Sequence, residues 1–270
     1  MGWPRPHKWL EAKIGKKLDE CGRNSSREYL RKMIQEQADS LPPAAMVLDA
    51  GAGNCMYSPQ FEHVNYESAD FCQVEKAYAK YGEITYVCDI AEIPVEDDRY
   101  DFVLLTQVLE HVNEPKAVLR EMHRVLKPGG RMLVSAPLYY PEHETPYDFY
   151  RYTQYGLRHL LEGADFEVCS QDWMGGYYAM LAYQFGFAAW DLPARPRRYG
   201  GGVIGFLAAV MAFFLKRVLY ILSHIFGRLD QRHKVTDTGH PADYVFLAEK
   251  PNRSDGGTPE RGKAERKENT

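Results

Sequence analysis

The chain has 270 residues, of which 45% are hydrophobic and 26% charged, with a formal net charge of −4. That make-up fits one large folded domain or two small ones and excludes collagen-like, mucin-like and mostly disordered chains. The acidic balance argues against nucleic acid as a partner, which usually meets a basic domain.

The cysteines are Cys21, Cys55, Cys72, Cys88 and Cys169, an odd number without a C-x-x-C pair. Neither a disulfide framework nor a zinc site fits them, so no metal is expected and a cytoplasmic, reducing compartment is. The opening MGWPRPHKWLEAKIGKK has no apolar signal-peptide core, and Pro6 stands where myristoylation needs Ser or Thr.

Residues 1–43 read as a polar N-terminal helical cap, closed by Leu41-Pro42-Pro43. Arg5 to Lys32 holds nine Lys/Arg against four Asp/Glu. A solvated cap is the plain reading; a lid over a cofactor or a basic contact with a membrane is the sharper one. From residue 44 to 250 the pattern is that of one domain. Met46–Ala50, an apolar run, Asn65–Asp70, Ile84–Cys88, which is rich in β-formers, Tyr100–Leu105 and Arg131–Ser135 read as strands. Only twelve residues separate Gly53 from Tyr66, Pro59 among them, so any helix there is short. After the fourth strand, Asn113 reads as a helix N-cap with Pro115 in the first turn. Val118, Leu119, Met122, Val125 and Leu126 form its apolar stripe, and Lys127-Pro128-Gly129 its stop. A helix over Thr153–Gly163 and strands at Phe166–Ser170 and Tyr244–Ala248 complete the pattern, and residues 251–270 read as a disordered tail. Strands alternating with helices imply a parallel sheet covered on both faces.

The last two strands are about seventy residues apart, far beyond an ordinary connection. The intervening hydrophobic helical insertion spans about residues 173–240. Its first part, WMGGYYAMLAYQFGFAAW, reads as a core helix or as the lining of a pocket for a flat, greasy ligand. Val203–Leu215 has thirteen uncharged residues, short of the ~20 a membrane span needs. A span would also strand Tyr244–Ala248 on the wrong side of the membrane. Leu207, Met211, Phe214, Val218, Ile221, Leu222 and Ile225 make one stripe, opposite Lys216, Arg217, Tyr220 and His224. Residues 203–226 therefore suit a peripheral contact at the inner face of a membrane; a buried lid or a homodimer contact is the alternative.

The chemistry concentrates at strand ends. Val47–Cys55 reads V-L-D-A-G-A-G-N-C: a strand delivers an acid and then two glycines, which let backbone approach a ligand. A dinucleotide fingerprint needs a third glycine where Met56 stands, which speaks against a nicotinamide-dependent oxidoreductase. Asp70 ends the second strand, where a carboxylate can take both hydroxyls of a ribose, and Asp89-Ile90 follows the third, an acid and an aliphatic face suited to adenine. Gln107 follows the fourth strand, ahead of Leu109–Val112 (LEHV). Asp49 and Asp89 can also serve as turn caps, and His111 as a packing residue.

VLDAGAGNC, the acid of YESADF, Cys88–Ile90, YDFVLLTQVLEHV and above all EPKAVLREMHRVLKPGGRMLVSAP together resemble class I S-adenosylmethionine-dependent methyltransferases, over about residues 46–170 and again at Tyr244–Ala248. The resemblance implies an α/β, Rossmann-like sheet of seven strands, mostly parallel, with the last antiparallel. It implies S-adenosyl-L-methionine as cofactor and a small-molecule acceptor, with the insertion pointing to a hydrophobic or lipid-linked one. Asp49, Gly51 and Gly53 would cradle the methionine part, Asp70 the ribose, Asp89 and Ile90 the adenine, with Gln107 near the sulfonium. Cys55 departs from the pattern, since many members have a third glycine there. The candidate bases are His111 and His143, the latter in Tyr139–Thr153 (YYPEHETPYDFYRYT), where Asp148 and Arg151 read as a structural pair. A member without turnover, acting as a membrane-associated or scaffolding protein, is the alternative.

Overall fold

The computed structural model describes residues 25–73, 81–237 and 239–252. Most of the expected cap, residues 1–24, and residues 253–270 of the expected tail lie outside them. Among the described residues the elements run α1 (Ser25–Ser40), β1 (Met46–Ala50), β2 (Asn65–Asp70), β3 (Tyr86–Val87), β4 (Tyr100–Thr106), α2 (Pro115–Val125) and β5 (Leu126–Pro137). Then come α3 (Gln154–Glu162), β6 (Glu167–Met174), α4 (Tyr177–Asp191), α5 (Gly202–Arg232) and β7 (Asp243–Glu249).

The strands form one sheet in the order β3-β2-β1-β4-β5-β7-β6. β1 to β5 pair in parallel, and β7 runs antiparallel to both β5 and β6. The seven-stranded, mostly parallel sheet is the expected one. The chain winds outward from β1 in one direction and from β4 in the other. Open α/β sheets bind ligands at that reversal, beyond the carboxyl ends of the strands.

Several boundaries differ from expectation. β3 is only two residues long, paired with Ala69 and Asp70. Helix α2 is flanked by Glu114, not Asn113, and Glu114 makes no side-chain cap. Lys127-Pro128-Gly129 lies inside β5, because the chain turns extended at Leu126 (ψ 140°) and passes from helix to strand without a loop. Thr153 caps α3, its Oγ accepting the Gly156 N–H at 3.1 Å.

On one sheet face Val118, Leu119, Met122 and Val125 of α2 and Leu157 and Leu161 of α3 pack against Leu48, Val103, Leu105, Val134 and Phe246. On the other, Leu30, Ile34 and Ala38 of α1 pack against Val47, Phe102, Leu104, Leu133 and Val245. Over Ser25–Ser40 the chain is thus a core layer, not a solvated cap or a lid. The reason is the short β1–β2 connection: it holds one 3-10 turn, Ser58–Phe61, and leaves that face for α1 to cover.

The insertion is an antiparallel hairpin. The Gly176 N–H donates to Asp230 Oδ1 at 3.0 Å, Ser223 Oγ to the Ala182 carbonyl at 2.8 Å, and Lys216 Nζ approaches the Trp190 carbonyl at 3.5 Å. Gly205, Ala209, Ala212, Ser223 and Gly227 are the buried row of α5. Its large apolar residues, including Val203, Phe206, Leu207, Met211, Phe214, Val218 and Ile221, are exposed. The expected stripe therefore faces away from the protein. Small residues permit close helix–helix approach, and periodicity alone cannot tell which side of a helix finds a partner.

Candidate active site

The β1 end is built around two glycines. Gly51 has φ +78°, and a Cβ there would lie 2.4 Å from Val108 Cγ2, so only glycine fits. Its N–H donates to the Ala69 carbonyl at 2.8 Å. The Gly53 N–H (φ +54°) donates to Asp70 Oδ2 at 2.9 Å, while Asp70 Oδ1 accepts the Cys72 N–H at 2.8 Å. The carboxylate thus ties the loop after β1 to the end of β2, and each oxygen keeps further lone-pair capacity. Cys55 sits at φ +53°, the left-handed region that explains why a glycine would serve there.

These strand ends open into a cavity of about 670 Å³. Of the expected site residues, Gly51, Asp70, Asp89, Ile90, Gln107 and His111 line it. Asp89 Oδ1 accepts the Ala91 N–H at 2.9 Å, the turn-capping bond, and Ile90 is buried beside it. Gln107 is held by its N–H to the Ser135 carbonyl (3.0 Å) and by Nε2 to Ser135 Oγ (3.1 Å).

Three expected residues do not line the cavity. Asp49 lies behind the loop, buried, accepting the Tyr66 hydroxyl at 2.7 Å. Burial pushes its carboxyl up to about 6, partly countered by the Tyr66 bond and reinforced by Asp70. Gly53 acts through Asp70. His143 sits one layer back, its ring 4.6 Å from that of His111 and 4.9 Å from that of Tyr140. Burial, and then the neighbouring His111, hold its imidazole below the ordinary range. The Asp148–Arg151 pair forms at 2.7 and 2.9 Å, and that bond draws the Asp148 carboxyl down to about 2. Asp148 Oδ2 also accepts the His143 backbone N–H at 2.8 Å, fixing the loop that carries it.

Sequence reasoning places the tyrosine-rich loop Tyr139–Thr153 facing the acceptor but missed Phe71. Phe71 follows Asp70 directly and meets Tyr147 edge to face, 5.5 Å between centroids, with Phe149 nearby on the lining. Position next to an acid at a strand end was the one signal for Phe71. It also gave Glu110, in Leu109–Val112, no role beyond packing, whereas its carboxyl is buried without a hydrogen-bond partner and is pushed by burial up to about 8. No residue of 173–190 lines the cavity. The hairpin reaches it only indirectly, through Tyr183 and Phe187 packed on Tyr140, and Tyr140 on His143.

Residues 48–134, which hold the glycine loop, Asp70, Asp89, Gln107 and His111, match the family model described as a methyltransferase domain. Those residues form a methyltransferase domain, and over them the chain is similar to class I S-adenosylmethionine-dependent methyltransferases. A Mycolicibacterium smegmatis protein described as a probable S-adenosylmethionine-dependent methyltransferase is 30% identical over 171 residues, 58% of this chain and 61% of that one. A ubiquinone/menaquinone biosynthesis C-methyltransferase, UbiE, of Psychromonas ingrahamii is 40% identical over 75 residues, 26% of this chain and 30% of its own. The chain thus spans less than two thirds of the length of these relatives. Among solved structures, the [4+2]-cyclase SpnF matches with TM-score 0.52 and 18% identity, over 83% of this chain and 81% of that one. A Haemonchus contortus phosphoethanolamine N-methyltransferase matches with TM-score 0.50 and 16% identity, over 83% of this chain and 53% of its own. These likenesses carry the methyltransferase-domain fold, and a fold alone does not decide a reaction.

Proposed function

We propose that the protein transfers the methyl group of S-adenosylmethionine to a small hydrophobic or lipid-linked acceptor, working at a membrane surface. The observation that carries the reading is the cavity at the sheet's reversal, rimmed by Gly51, Asp70, Asp89, Ile90 and Gln107. Its residues suit an adenosyl sulfonium. Asp70 would accept the ribose hydroxyls, Asp89 the adenine amino group, and Ile90 would cover the ring. Gly51 leaves room for the methionine part where any Cβ would close the loop onto Val108.

The bound sulfonium supplies an already activated methyl group. The chain's task is to orient an acceptor against it and exclude water. Phe71, Tyr147 and Phe149 give the cavity an apolar wall for that purpose. His111, on the lining, can take a proton from an oxygen acceptor; a carbon acid or thiolate acceptor needs less help.

Three observations support a hydrophobic acceptor. Two are the exposed apolar face of α5 and the aromatic row Phe187–Tyr140–His143 between the hairpin and the cavity. The third is the set of relatives named for ubiquinone and menaquinone biosynthesis. α5 is long and apolar enough to cross a membrane. Its second half, however, is fastened to α4, and its first half, residues 202–215 or roughly 21 Å of helix, is free on its outward face only, with Gly205, Ala209 and Ala212 buried. That is short of the ~30 Å hydrocarbon core, and Arg197, Arg198, Lys216 and Arg217 flank it, as befits a helix lying in the interface.

The test is an incubation with radiolabelled S-adenosylmethionine and a bacterial lipid extract, followed by solvent partition. A labelled apolar product that is lost in Asp70→Ala is expected. Label that stays in the aqueous phase while the cofactor still binds would overturn the hydrophobic acceptor.

A further inference from the structure

We propose that Glu110, His111 and His143 bind one divalent transition-metal cation at the edge of the cavity, with Glu144 as a fourth donor. The sequence shows no metal pattern: the cysteines are scattered, and the donors come from two separate segments. The 3-10 turn after β4, Leu109–His111, brings the first two, and the chain beyond β5 brings the others. In the fold, one donor atom from each of Glu110, His111 and His143 lies within 4.8 Å of the rest.

The carboxylate of Glu110 is the first reason to read this as a site. It is wholly buried, and neither oxygen has a hydrogen-bond partner. Nearly all buried polar groups in folded proteins are paired, so an orphan carboxyl asks for a missing one. The nearest candidate is the imidazole of His111, whose Nε2 is 3.9 Å from Glu110 Oε1, too far for a hydrogen bond. A cation between them supplies the partner.

The second reason is the state of His111. Its Nδ1 lies 2.5 Å from the Tyr147 carbonyl oxygen, which can only accept, so Nδ1 carries a hydrogen and in the neutral ring Nε2 presents the lone pair. Metal-binding histidines are held in this way by a carbonyl on the far nitrogen. That lone pair sits between two carboxylates, with Glu144 Oε2 at 3.8 Å on the other side. The third reason is that His143 is braced: its ring packs on His111, and its main chain is tied to the Asp148–Arg151 pair.

Tetrahedral zinc-type coordination puts donors roughly 3.4 Å apart, so the pairs at 3.8 and 3.9 Å must close by about half an ångström and the widest, within 4.8 Å, by up to about 1.4 Å. Residues 138–150, free of helix and strand, can supply that movement. Two imidazoles with carboxylates favour manganese, iron, cobalt or zinc over calcium or magnesium. His111 and Glu144 line the cavity. If the proposed transferase reading holds, a cation there would bind an acceptor oxygen and lower its pKa, with His111 as ligand instead of base.

The test uses the full chain, stripped with chelator and without S-adenosylmethionine, so that its outcome does not depend on methyl transfer. Co²⁺ is titrated while visible absorption is followed. One equivalent with d–d bands, at least tenfold weaker in Glu110→Gln and in His143→Asn, is expected. His143 is partly exposed, and a melt matching the wild type keeps that variant interpretable should Glu110→Gln fail to fold. No saturable cobalt binding by the wild type would overturn the proposal. So would equal affinity in the variants, or a thiolate charge-transfer band marking a cysteine site.

Discussion

At the scale of single residues, the site depends on backbone conformations that side chains enforce. Gly51→Ala adds a methyl group 2.4 Å from Val108 at a positive φ, and should cost about 1–3 kcal/mol of stability in urea melts. Adding Val108→Ala removes the collision but not the strained φ, so the double variant should recover part of the loss. No recovery would mean that the contact is not what demands glycine. Asp49 makes a different prediction. Its carboxyl is raised from 3.8 to about 6 by burial, so the folded state holds a proton that the unfolded state releases. Its contribution is fully present below pH 4 and is lost as pH rises through 6, by about 3 kcal/mol at most. Cofactor-free Asp49→Asn should therefore lose less stability than wild type between pH 4 and pH 8 in chemical denaturation. Parallel pH profiles would show that Asp49 is ionised throughout.

At the scale of elements, the hairpin and the helix caps behave as separate parts. Phe206 and Phe214 lie on the outward face of α5, 59% and 63% exposed, and touch little of the sheet. Phe206→Glu combined with Phe214→Glu should leave folding stability within about 0.5 kcal/mol, as surface changes do. The same variant should lose at least tenfold in affinity for vesicles containing anionic lipid in a flotation assay. Retained binding would remove α5 from the membrane contact. Thr153→Ala should cost about 1 kcal/mol through the lost cap on α3, measured by thermal melt.

At the scale of the whole molecule, much was legible because it is repeated along the chain. Alternating apolar runs and one strong helical stripe gave the seven strands and the parallel sheet, and acids and glycines at strand ends located the cavity rim. What was hidden is what depends on partners far apart in sequence. The stripe of α1 found the sheet because the β1–β2 link holds no helix. The outward face of α5 depended on small residues on its opposite side. Asp49 has the residue type of a ligand group but faces Tyr66, a contact 17 residues away. The pairing of Glu110 and His111 with His143 and Glu144 required the loop after β5 to fold back over β4, which no local pattern states.

The central claim is that the rim of Gly51, Asp70, Asp89, Ile90 and Gln107 receives an adenosyl sulfonium, and titration calorimetry with S-adenosylmethionine tests it most directly. One molecule should bind per chain, with affinity at least tenfold lower in Asp70→Ala. No binding heat, or equal affinity in the two proteins, would contradict it.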